Sequence, residues 1–162
     1  MRSPFANPWP ETAVDDRSKL NLNEAVDPDA KALLTNVRQG LLRLHKTLLD
    51  WERGHYERTH GRQSSADLLN AFLQDPHFAW LRPMSQLIVR IDEMLEDAAR
   101  PTAAAAQGVL AELKALTSPG DSGKGDAQRY AQALQENPET VFAHRDLMAL
   151  AGSRQDDRRP SR

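Results

Sequence analysis

The sequence predicts an all-α protein, a helical bundle of about four helices followed by a C-terminal helical hairpin. Three observations predict it. Ala, Leu, Glu, Gln and Arg, which lose little on entering a helix, are plentiful, while aromatic residues make up only 6% of the chain. Apolar residues recur in steps of three and four over long stretches, and no stretch alternates with the period of a strand. Pro, Gly, Ser and Asp fall between those stretches, where helices start and stop. At 162 residues, 40% of them hydrophobic, the chain is long enough to bury a real core.

Residues 1–26 carry Pro4, Pro8 and Pro10 with Phe5 and Trp9 between them, and are expected to form a flexible, extended segment. The bundle domain is expected over 27–117. Asp27-Pro28-Asp29 opens its first helix with a capping carboxylate, a proline at the first turn and an acid at the positive end of the helix dipole. That helix is expected to run to about His60, with Gly61 as its cap. Leu34, Val37, Leu41, Leu44, Leu48 and Trp51 form its stripe, which Leu42, Leu49 and Tyr56 broaden.

Ser64 or Ser65 with Asp67 caps a short second helix that ends before Pro76. Phe78 to Leu81 form an aromatic corner, and Pro83 starts a third helix with Met84, Leu87, Ile88 and Ile91 inward. An Ala-rich fourth helix spans about Thr102 to Leu116, where Gly108 either weakens it or admits a close neighbour. Residues 118–125 read as a Gly/Ser-rich linker and 126–151 as the hairpin, divided by Asn137-Pro138. Residues 152–162 read as a flexible tail.

Composition excludes several function classes. A net charge of -2 gives no electrostatic footprint for nucleic acid. No apolar run approaches the ~20 residues needed to cross a bilayer, and residues 1–5 lack the apolar core of a signal peptide. The chain has no cysteine, which removes disulfides, thiolate nucleophiles and Cys-based zinc sites and suits a reducing, cytoplasmic setting. Gly120 to Gly125 lacks the order of a phosphate-binding loop, and His144-Arg145-Asp146 stands without the rest of a kinase signature. No residue justifies an enzyme class, and no cofactor is assigned.

Polar groups on the apolar side of the first helix are the most informative feature. Arg38, His45 and Glu52 stand seven apart near the centre of the stripe, and His55 continues the Leu34, Leu41, Leu48 row. Buried ionisable groups need partners, so these residues either pair internally, for example with Asp92 on the third helix, or line a polar pocket. Arg38, His45, Glu52, His55 and Asp92 are the candidate pocket residues. Glu52 and His55, and again Glu57 and His60, form Glu-x-x-His, the spacing of carboxylate–imidazole metal pairs in di-iron bundles. Those bundles place the motif on two helices, whereas both copies here share one helix and point in different directions.

Two resemblances follow from longer blocks. Leu41 to Asp50, then Phe78 to Pro83 and Ile88 to Glu93, resemble a family of uncharacterised bacterial helical proteins, which implies a helical domain and no activity. Tyr130 to Pro138, then Ala143, His144 and Leu147, are similar to a junction between two tetratricopeptide repeats, which implies an antiparallel hairpin. No second copy lies one repeat upstream, so no peptide-binding superhelix is implied.

The functional expectation is therefore a non-enzymatic interaction or regulatory module that binds a protein partner through a helical face. Phe5 and Trp9 are expected to dock on the chain's own core or on a partner, which makes their segment a candidate docking peptide. The alternative is a small-ligand or metal site near His45, Glu52 and His55. A homo-oligomer paired through the long first helix is a further possibility.

Overall fold

The structure, a computed structural model, describes residues 28–97, 101–118 and 125–152. Readings that fall on the N-terminal segment with Phe5 and Trp9, the Asp27 cap, most of the linker and the C-terminal tail lie outside the described residues. The described chain is all-α, with no strand: α1 (Pro28–His60), α2 (Ser65–Gln74), a 3₁₀ helix (Pro76–Leu81), α3 (Arg82–Glu96), α4 (Ala103–Thr117), α5 (Gly125–Glu136) and α6 (Pro138–Gly152). No helix among the described residues is long and apolar enough to cross a membrane.

Local chemistry places the ends. Gly61 closes α1 in the left-handed region at φ 76°, which costs glycine nothing. The Ser64 hydroxyl oxygen accepts from the Asp67 amide and donates to its carboxylate, starting α2. Asp75 Oδ1 accepts the His77 amide at 2.8 Å and turns the chain into the 3₁₀ helix. Thr102 Oγ1 accepts the Ala105 amide to start α4, and Asn137 Oδ1 accepts the Glu139 amide ahead of α6. The aromatic corner expected at 78–81 is that 3₁₀ helix, with Phe78 and Leu81 buried.

The core is one contiguous cluster to which every helix contributes. Leu34, Val37, Leu41, Leu44 and Leu48 are fully buried, as their spacing predicts. Leu42, expected to broaden that stripe, is instead exposed. The reason is that α1 has neighbours on two sides and turns its third side outward. Arg38 pairs with Asp92 and His45 bonds Ser85, so α3 runs antiparallel to α1 on one side. Leu42 and Val89 stay open between those two polar pairs.

The C-terminal hairpin shares this core rather than lying apart from it. The sequence leaves open whether it packs on the bundle, and it makes α3 and α4 the partners of α1. In the structure α6 lies along α1 more extensively than either. A Cβ on Gly40 would stand 2.9 Å from a Leu147 methyl and 3.4 Å from the Leu147 Cα, so the missing side chain lets the two helices close up. Arg43 and Asp146 pair one turn further along, which makes the two helices antiparallel. A Cβ on Gly108 would meet no neighbouring element within 4 Å among the described residues, so the close-approach glycine is Gly40. The second half of α1 is flanked by α5, whose Tyr130 hydroxyl bonds His144 Nδ1 at 2.7 Å across the hairpin.

Candidate functional site

Glu52 is fully buried and its carboxylate is satisfied entirely by the chain. Arg129 on α5 presents a guanidinium fork, with Nε donating to Oε2 at 2.9 Å and Nη2 donating to Oε1. The Trp80 indole donates to Oε2 at 3.0 Å, and His77 Nε2 stands 2.5 Å from Oε1, off the line of a hydrogen bond. Trp51 roofs the fork, its ring centroid 4.6 Å from Arg129 Cζ. This cluster ties α1, the 3₁₀ helix and α5 together.

The other sequence-predicted residues have separate duties. Arg38 and Asp92 form a half-exposed ion pair. His45 Nε2 shares a 2.8 Å hydrogen bond with Ser85 Oγ, and burial pushes its pKa below the usual histidine value. His55 accepts at Nδ1 from Arg58, which can only donate, so its Nε2 carries the proton and donates to Glu136 at 3.1 Å. Glu57 accepts from Arg53 at 3.2 Å, and His60 Nδ1 donates to the Tyr56 carbonyl at 3.1 Å.

Glu52 and His55 meet through α5, where Arg129 bonds both Glu52 and Gln132, and Gln132 bonds the Glu136 that His55 also bonds, while His45 stands apart with Ser85 on α3. Among the described residues no group of three His, Asp or Glu side chains is placed to hold a metal ion. Glu52 and His55 both turn to α5, whereas Glu57 and His60 bond Arg53 and the Tyr56 carbonyl within α1, so the two motifs do not converge. Sequence reasoning misses the Arg129, Trp80 and His77 contacts to Glu52. Arg129 is the single basic residue of α5, and a buried Glu calls for a cation, so the signal was present.

The open site lies at α2, away from all of these. At 100° per residue, Ala71, Leu68 and Phe72 sweep into Leu69, Leu73 and Ala66, an arc of about 220° that is apolar but for Ser65 in the first turn. A core-facing helix needs only a little over 100°. Leu68 and Ala71 are buried, and Phe72 packs edge-on against Phe78 at 4.7 Å. Leu69 and Leu73 are 59% and 63% exposed, the two largest exposures among the big apolar side chains described.

The remaining arc of α2 carries Asp67, Asn70 and Gln74, which with Tyr56, Gln63 and Asp75 line a cleft of about 460 Å³. The floor is well tied. Tyr56 Oη donates to Asp75 Oδ2 at 3.2 Å, and its ring stacks on His60 at 4.1 Å. Asp75 is held below the usual carboxylate range, first by the His77 amide and then by the Tyr56 hydroxyl. Tyr56 is pushed up, by burial first and then by its bond to that carboxylate. The Asn70 and Gln74 carboxamides, one turn apart at the lip, bond nothing among the described residues.

Comparison with known proteins adds no relative: no family model, no curated protein and no solved structure matches the chain. Among the described residues no cluster of metal donors lies at α2. What it offers is an apolar ridge beside hydrogen-bonding carboxamides.

Proposed function

We propose that this protein is a non-enzymatic interaction module that binds a protein partner through the outer face of α2. The observation that carries the reading is the largely apolar 220° arc of a ten-residue helix, of which the other described residues cover only the inner part, leaving Leu69 and Leu73 exposed. Exposed apolar ridges rimmed by polar groups mark docking surfaces. The partner supplies a short segment with apolar anchors and backbone groups for Asn70 and Gln74. The absence of cysteine supports a reducing, cytoplasmic setting for this role.

The test is affinity capture from the source cells by the wild-type chain and by a Leu69→Ser/Leu73→Ser variant. The reading predicts a protein retained by the first and lost with the second, both chains melting alike. Retention by both chains, or by neither, would contradict it.

A further inference from the structure

We propose that residues Phe5 to Pro10 of this same chain occupy the α2 ridge and cleft in cis, as a built-in competitor of the partner. The inference rests on α2 being a docking surface and names its resident occupant.

Three observations converge. The first is chemical. Phe5 and Trp9 are apolar anchors suited to the Leu69/Leu73 ridge, and Pro4, Pro8 and Pro10 have no amide hydrogen. A proline-rich strand therefore presents an excess of carbonyl acceptors. Asn70 and Gln74 present amide donors one turn apart beside the ridge, without partners among the described residues. Recognition of proline-rich segments commonly joins an apolar surface to such donors, because the extended backbone is already ordered before it binds.

The second is reach. From Pro28 to the level of Tyr56, where α2 packs, α1 rises about 42 Å. The 19 residues from Trp9 to Pro28 can span up to about 63 Å, so the segment arrives with slack.

The third is area. Two leucines and an alanine offer far less than the ~800 Å² per partner that a stable interface between globular proteins takes, and a short strap matches what is there. The other exposed apolar positions fit less well. Leu42 and Val89 lie between the Arg38–Asp92 and His45–Ser85 pairs, whose polar groups are already used. Val141 and Phe142 adjoin on α6, where Arg145 lies over the Phe142 ring at 5.4 Å.

The chain has no cysteine, so one introduced thiol carries one nitroxide on the full-length protein. Labels are placed at Arg62→Cys, exposed just ahead of α2, and at Asn36→Cys, exposed about 30 Å down α1. The readout is the Trp9 indole N–H resonance, identified by its loss in Trp9→Phe. The proposal expects that signal to vanish with the Arg62 label, return on reduction of the nitroxide, and survive the Asn36 label. Adding Leu69→Ser/Leu73→Ser to the Arg62-labelled chain restores it. A Trp9 signal untouched by the Arg62 label, or broadened equally by both labels, overturns the proposal.

The outcomes separate from those of the partner test. Captured partner with an unbroadened Trp9 rejects the cis occupant alone. A broadened Trp9 with no partner leaves α2 as an intramolecular dock and rejects the partner reading.

Discussion

Glu52 shows how much one side chain can commit a fold to. A fully buried carboxylate is tolerable only while its partners stay in place, and Arg129 supplies two of its hydrogen bonds. Arg129→Ala should destabilise the protein by roughly 3–5 kcal/mol, and adding Glu52→Gln should recover part of the loss by removing the stranded charge. Urea unfolding of the single and double variants checks both. Thr140 is the opposite case: its hydroxyl is buried without a partner among the described residues. Thr140→Val should therefore raise stability by about 1 kcal/mol, read as a higher urea midpoint. Acid acts through two half-buried histidines. Burial lowers the pKa of both His45 and His144 from the ordinary 6.5, so the unfolded chain binds protons that the folded chain resists. Stability should hold above about pH 6.5 and fall as pH drops towards the folded values. Replacing His45 by Gln should flatten the unfolding free energy between about pH 7 and pH 5, and an unchanged slope would refute the assignment. At this scale the sequence was half legible: Glu52 in a leucine stripe announced a buried charge, but nothing in a helical period names the helix that answers it.

Elements were more legible where their ends are written in local chemistry. Asn137-Pro138, Ser64 with Asp67, Thr102 and Gly61 each satisfy or terminate backbone groups within a few residues, so sequence alone locates them. Inter-helix distance is not written that way. Gly108 and Gly40 look alike in sequence, yet only Gly40 has a neighbouring helix against its Cα. Gly40→Val should wedge α1 from α6 and cost about 1–3 kcal/mol, whereas Gly108→Ala should gain up to about 1 kcal/mol from helix propensity. Thermal unfolding of the two variants in parallel decides the point, and a stabilised Gly40→Val would show that α6 does not approach α1 as described. The excess of apolar surface on α2 belongs to the same scale. Its leucines were visible in the sequence, but their exposure depends on how little of the bundle reaches that helix.

For the whole molecule, the all-α class and helix order follow from composition and period, while the role of the hairpin does not. Two short helices after a Gly/Ser stretch look detachable, yet Leu147, Ala143 and Tyr130 complete the core that α1 begins. The result is a bundle whose internal polar groups are spent on holding helices together, from Arg38–Asp92 to Glu52–Arg129. Among the described residues α2 carries the two most exposed large apolar side chains, beside the Asn70 and Gln74 carboxamides. The most direct measurement is photo-cross-linking in the source cells from a reactive residue at position 73, with the exposed position 104 on α4 as control. The account predicts an adduct with a second polypeptide from position 73 and none from position 104. No intermolecular adduct from position 73, or equal adducts from both, would contradict it.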